Sequence, residues 1–173
     1  IGVVGAGGKG SSDTDHCASE NIVALCDVDS RTLASRKDKY PGAKTYTDWR
    51  EMLEKEKDLE AVIIALPLHL HHPVAIDCMR KGKHVLCEKL MARTVAQCKE
   101  MIKVAKETNR ILSIGHQRHY SLLYAHATEM INAGILGDIK HIRALWHRNF
   151  TWDWKPDGKK IVENVPGIKQ PAP

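Results

Sequence analysis

Short apolar runs alternate with helical patterns through the first two thirds of the chain. Ile1–Val4, Asn21–Asp27, Ala61–Leu66, His84–Cys87 and Ile111–Ile114 are apolar on both parities. Strands covered on both faces read this way. Between them lie helix candidates. One runs over Ser30–Tyr40, with Ser30 as N-cap and Pro41-Gly42 as stop. A second covers Trp49–Lys55 behind Asp48 and sets Trp49, Met52 and Leu53 on one face. A third opens at Pro73 and ends at Gly82, and a fourth runs from Thr94 to about Thr108. In that last helix Val95, Cys98, Ile102 and Ala105 recur at helical spacing. The alternation predicts an α/β fold, a Rossmann-type doubly wound parallel sheet.

The rhythm changes after Gly115. Leu122–Ala133 reads as a helix, and Ile139–His147 as one long strand that opens a second sheet. Asp153–Pro173, with Pro156, Pro166, Pro171 and Pro173, reads as a loop or disordered end. These patterns place a nucleotide-binding domain at 1–119 and the incomplete start of a second α/β domain at 120–173.

Composition narrows the function classes. The chain has 173 residues, 43% hydrophobic, 27% charged and 5% aromatic with one Phe. A globular fold with an aliphatic core follows. Five scattered cysteines, with no CxxC, argue against a disulfide framework and for a reducing, cytoplasmic compartment. The chain starts at Ile1 inside a strand, which leaves room for an export signal ahead of it. No apolar run approaches the roughly 18 residues of a membrane helix. Residues 1–90 hold 13 Lys/Arg against 14 Asp/Glu, and residues 91–173 hold 13 against 7. Lys99, Lys103 and Lys106 share a helix with Glu100 and Glu107, so this excess reads as a solvated face rather than a nucleic-acid surface.

Gly5-Ala6-Gly7-Gly8-Lys9-Gly10 matches G-x-G-x-x-G between a strand and a helix candidate. Asp27 closes the next strand 22 residues after Gly5, near the roughly 20-residue spacing of a dinucleotide fingerprint. Gly5 would allow the tight turn, Gly7 the approach of pyrophosphate, and Gly10 close packing of helix on strand. Gly8 and Lys9 belong to the same loop. Asp27 would accept from ribose hydroxyls and repel a 2′-phosphate, which favours NAD over NADP, although Arg31 could reach such a phosphate. The segment Ser11–Asp15 has low helix propensity, and a ligand-free glycine turn is the alternative.

Glu88 and Lys89 follow a buried strand, at the sheet end where open α/β folds bind ligands. Lys89 could pass a proton during hydride transfer, with Glu88 tuning its ammonium. The alternative is a surface ion pair between them. His69, His71 and His72 lack the partners of a zinc spacing, and no metal site is read.

GAGGKG, CDVD (Cys26–Asp29), ALPLHLHHPVA (Ala65–Ala75), GKHVLCEK (Gly82–Lys89) and GHQRHY (Gly115–Tyr120) stand in order. Together they resemble the Gfo/Idh/MocA family, named for glucose–fructose oxidoreductase, inositol 2-dehydrogenase and a rhizopine-catabolism protein, over about residues 1–148. The resemblance implies a Rossmann domain followed by a second domain built on a large antiparallel sheet. It implies oxidation or reduction of sugars and polyols with NAD or NADP, and in one branch NAD-dependent glycoside cleavage. By the same resemblance Lys89 is the catalytic lysine of an E-K-P motif. Gly5, Gly7, Gly10 and Asp27 hold the cofactor, and Pro67, His71 and Gln117 line its cleft together with Glu88. Arg118, His119 and the aromatic stretch His147–Trp154, Trp152 above all, would face the substrate. A complete second domain would make a homo-oligomer.

Two departures stand out. Leu90 replaces the motif's proline, and no Asp/His pair of the second-domain catalytic helix occurs before Pro173. The chain thus resembles the first half of an enzyme. The contrasting reading is a module that senses NAD or a sugar without turnover.

Overall fold

The structure, a computed structural model, describes residues 1–145. The chain divides into two compact units, Ile1–Thr128 and Glu129–Pro173. The first is an α/β unit. Its elements are β1 (Gly2–Val4), α1 (Gly8–His16), β2 (Ala24–Cys26), α2 (Ser30–Lys39), β3 (Lys44–Tyr46), α3 (Trp49–Lys55), β4 (Ala61–Ile64), α4 (Leu68–Arg80), β5 (His84–Cys87), α5 (Val95–Thr108) and β6 (Leu112–Ile114). A 3-10 turn, Gln117–Tyr120, and helix α6, Leu122–Asn132, follow.

The six strands form one parallel sheet in the order β3-β2-β1-β4-β5-β6. Val3 lies between Leu25 and Ile63, and Ile63 is paired with Leu86 in turn. Alternate strand residues feed two cores, one on each face. Val4, Ile64, Met52, Met79 and Met101 fill one, and Val3, Leu25, Leu33 and Ile63 the other. This double burial is why the strands show no alternation of polar and apolar positions. The strand order reverses at β1 and β4, which run parallel, and this puts a crevice at their carboxyl ends.

The structure corrects several expectations. β3 escaped the pattern because Lys44-Thr45-Tyr46 sits on the sheet edge, with only Tyr46 buried. Helix α2 is capped by Asp29, whose side chain accepts from the Arg31 N–H, so Ser30 is already helical. Helix α4 starts at Leu68 with Pro67 as N-cap, one turn before Pro73, which lies inside it. In α5, Thr94 and Gln97 form a capping box, yet the buried face is Met101 and Val104. Val95 and Ile102 point outward.

In the second unit the expected strand is not found over Ile139–Leu145. A strand exists only through its ladder, and no antiparallel pairing occurs among the described residues. Trp146 and His147, the rest of that strand, lie outside the described residues, as do Trp152 and the expected loop Asp153–Pro173. No helix among the described residues is long and apolar enough to cross a membrane.

Candidate functional site

Five loops meet the carboxyl edge of the sheet, and their backbones extend its ladder. Gly5 N–H donates to the Cys26 carbonyl at 2.8 Å, Asp27 N–H to Tyr46 at 3.1 Å, Ala65 N–H to Val4 at 2.9 Å, Glu88 N–H to Ile64 at 2.9 Å and Gly115 N–H to Cys87 at 2.8 Å. The loops after β1, β2, β4, β5 and β6 therefore each start from a fixed point.

The glycine loop shows why its residue types are needed. Gly5 has φ of +87°, and a Cβ there would lie 2.3 Å from the Ala65 carbonyl oxygen. A Cβ on Gly10 would lie 1.8 Å from the Gly5 carbonyl oxygen, so only glycine lets α1 cross β1 this closely. Helix α1 begins behind Gly7 with no side-chain cap. Its first-turn N–H groups have no intrahelical carbonyl, and the positive end of the helix dipole faces the same way. That is an anion cradle. Despite its poor propensity α1 forms. Thr14 Oγ1 donates to the Gly10 carbonyl at 2.6 Å, and Lys9 pairs with Asp13 one turn on.

Asp27 stands one residue past β2 and ties this loop to its neighbour. Its Oδ2 accepts from Gly7 N–H at 3.1 Å and its Oδ1 from Asp29 N–H at 3.0 Å. A carboxylate has about four lone-pair positions, so acceptor capacity remains for hydroxyls. Arg31 is engaged elsewhere, with Nε and Nη2 on the Asp29 carboxylate at 3.1 and 2.9 Å. Between the β1, β2 and β4 loops lies a cavity of about 250 Å³. Gly5, Gly7, Asp27, Val28, Trp49, Leu66, Pro67 and Leu70 are among its lining residues. Neither Trp49, which the sequence placed only on a helix face, nor Val28 was read from the sequence as a site residue. Their signal was position, because Val28 follows Asp27 in the loop after β2 and Trp49 follows the helix cap Asp48.

The structure separates Glu88 from the Lys89 ammonium. Glu88 is buried, and its Oε1 lies 3.3 Å from Lys9 Nζ. Its Oε2 accepts from the backbone N–H of Lys89 at 3.1 Å. The surface ion pair between Glu88 and Lys89 is therefore not formed. Lys9 bridges Asp13 and Glu88 instead, and this raises its ammonium pKa, with the Asp13 hydrogen bond the largest cause. The Lys89 side chain is exposed and has no charged partner among the described residues. Gly115 packs on Glu88, since a Cβ there would meet Glu88 Oε1 at 2.8 Å.

His71 departs from its expected place on the cleft surface. It is 1% exposed, and its ring nitrogens face the Leu66 and Leu90 carbonyls inside the wall. His72 pairs with Glu100 at 2.8 Å. Gln117, Arg118 and His119 share the exposed 3-10 turn after β6. There the Arg118 guanidinium lies 5.4 Å from the Tyr124 ring centre, and His119 packs edge-on against His116.

This strand order, with a glycine cradle at the switch point and an acid after β2, defines a dinucleotide-binding Rossmann domain. Residues 1–116 match the Gfo/Idh/MocA oxidoreductase family, described as having an NAD-binding Rossmann fold, and the chain belongs to that family. It is 29% identical over 167 residues to an alpha-N-acetylgalactosaminidase of Shewanella oneidensis, covering 90% of this chain and 36% of that protein. It is 33% identical over 142 residues to an inositol 2-dehydrogenase of Salmonella typhimurium, covering 79% of this chain and 42% of that one. The crystal structure of myo-inositol 2-dehydrogenase from Lactobacillus plantarum superposes with a TM-score of 0.72 at 29% identity. That match covers 80% of this chain and 42% of the other. The chain thus spans less than half the length of these relatives.

Proposed function

We propose that this chain is the cofactor-binding half of an NAD-dependent oxidoreductase acting on a CH–OH group of a sugar or polyol. The observation that carries this reading is the placement of Lys89. It stands two residues past β5, on the same sheet edge as the glycine loop, with its ammonium exposed and without a charged partner among the described residues. The cradle fits the cofactor. Gly5 and Gly10 have no room for a Cβ, the first turn of α1 has no side-chain cap, and Asp27 keeps acceptor capacity. When bound, NAD supplies the hydride acceptor. In its neutral amine form Lys89 would take the hydroxyl proton while the carbon gives up hydride, and the alcohol would become a carbonyl. Asp27 orients the ribose, and its charge disfavours a 2′-phosphate. Arg31, held by Asp29, does not compensate.

The same reading assigns Gly7, Gly8, Lys9 and Pro67 to the cofactor, and Gln117, Arg118 and His119 to its nicotinamide and substrate side. Residues 120–173 are then the start of a substrate and oligomerisation domain. Five free cysteines support a cytoplasmic setting.

The test follows NADH absorbance with a panel of polyols and sugars, using the intact polypeptide. Lys89→Ala is expected to lower turnover by roughly 10²–10⁴-fold, the range for a positioned acid–base group, with little change in NAD affinity. Normal turnover in that variant would remove Lys89 from the chemistry. The match to a galactosaminidase over 90% of the chain favours a second reading, a glycosidase with no net redox change. A chromogenic glycoside cleaved without accumulation of NADH would establish it. NAD binding with neither activity would mark a sensing module.

A further inference from the structure

The segment after β5 is held on both sides of Lys89. Ahead of it, the buried Glu88 carboxylate accepts the Lys89 N–H at 3.1 Å and meets Lys9 across the crevice. Behind it, the Leu90 carbonyl lies 2.6 Å from His71 Nδ1. The other ring nitrogen, Nε2, lies 2.8 Å from the carbonyl of Leu66. Leu66 belongs to the turn after β4 and lines the cavity with Pro67 and Leu70. Peptide carbonyls only accept, so each contact uses a ring N–H. The doubly protonated ring makes both contacts, and the neutral ring makes one.

A leucine would fill the same space on α4 without either contact. The ring instead joins two loops that leave adjacent strands, β4 and β5. One loop forms the cavity wall and the other carries Lys89. We propose that His71 is a positioning residue, which straps the Leu90 carbonyl to the Leu66–Pro67 turn and so holds the Lys89 backbone in register with the cofactor cavity. This rests on the reading of Lys89 as the proton-transfer residue. The strap also supplies what Leu90 does not. A proline after Lys89 would restrict the lysine's own backbone, whereas here a hydrogen bond to the following carbonyl does so. Misplacement of a reacting group by about 1 Å costs on the order of 10²-fold in rate, so a strap that touches neither substrate nor cofactor still bears on turnover.

The experiment compares His71→Leu, His71→Gln and Lys89→Ala in the intact polypeptide. It reads thermal melting, NAD affinity by calorimetry, amide exchange at Lys89–Met91, and KM and kcat separately. In His71→Leu, exchange at Lys89–Met91 should rise roughly tenfold while β4 and β5 keep their protection. NAD affinity should hold, and kcat should fall by roughly 10–100-fold with little change in KM. His71→Gln keeps one donor nitrogen and should recover part of both effects. Unchanged exchange at Lys89–Met91 would overturn the strap, as would a uniform loss of protection across the sheet. If His71→Leu does not fold, His71→Gln decides by the same exchange measurement, where no local change overturns the proposal. Normal turnover in Lys89→Ala would bring down the dehydrogenase reading. The exchange data judge the strap independently of that outcome.

Discussion

The backbone N–H of Gly7 donates to the Asp27 carboxylate at 3.1 Å, which ties the glycine loop to the end of the neighbouring strand. The residue expected to select the cofactor also holds the loop expected to take its phosphates. Removing Asp27 therefore affects both. Asp27→Ala is expected to weaken NAD binding by roughly 10–100-fold, the worth of hydrogen bonds to a charged group. The same change should narrow the preference for NAD over NADP. Titration calorimetry with both cofactors measures this. Equal affinity of the unaltered protein for NAD and NADP would refute the selectivity.

The glycines of the loop should differ sharply in tolerance. Gly10→Ala places a Cβ 1.8 Å from a carbonyl oxygen of the same loop, and backbone cannot step aside cheaply. A loss of about 3 kcal/mol or more is expected. Gly8 has φ of +48° but open space around it, so Gly8→Ala should cost only about 1 kcal/mol. Urea unfolding separates the two, and similar midpoints would contradict the close packing of Gly10 on the Gly5 carbonyl. Gly7→Val should leave the fold nearly intact and abolish NAD binding. Its Cβ would meet the Thr32 side chain at 3.2 Å and Asp27 Oδ2 at 3.7 Å, while the added methyls take up space beside the cradle.

Five of the six strands were legible as short apolar runs on both parities, which reflects burial on both faces in β1, β2 and β4. β3 was not, since an edge strand of three residues buries one side chain and keeps lysine and threonine outside. The start of α4 was misplaced because proline favours a first turn, yet Pro73 is tolerated further in. The α5 stripe shifted because Met101 and Val104 outcompeted Val95 and Ile102 for the core, which spacing alone does not decide. Gly5, Asp27 and Lys89 were readable as motif residues because each lies just past a strand, and Gly7 and Gly10 through their G-x-G-x-x-G spacing at the start of α1. The pairing of Lys9 with Glu88 and the two carbonyl contacts of His71 were not. They depend on side-chain directions across loops distant in sequence.

The five cysteines should fall into two classes. Burial pushes the Cys26, Cys78 and Cys87 thiols up to about 12, and all three lie in the core. Thiolate is the reactive form, so these three are inert in the folded protein. Cys17 and Cys98 are half-buried. A thiol reagent at mildly alkaline pH should label two sites quickly and five after denaturation. Rapid native labelling of Cys26, Cys78 or Cys87, located by mass spectrometry, would contradict the core placement.

Acid should loosen the junction of α1 and α2 before it reaches the sheet. Asp15 accepts from Arg36 Nη2 at 2.5 Å and from the Tyr40 hydroxyl at 2.9 Å, and Lys39 Nζ lies 2.9 Å away. Arg36, then Lys39 and Tyr40, hold its carboxyl well below the usual carboxylate range. Arg31 likewise lowers Asp29 to about 2. A carboxyl depressed in the folded state adds stability above its unfolded pKa of about 3.9 and loses it as pH falls through the folded value. The melting temperature should therefore be flat with respect to these groups above about pH 5, and fall from about pH 4 toward pH 2. Both groups are solvent-accessible, so the drop should shrink in high salt. Asp15→Asn removes the larger depression. It should melt lower than the parent at neutral pH and show a shallower fall on acidification. Parallel pH curves for the two proteins would remove Asp15 from the acid response and leave the loss to other carboxylates.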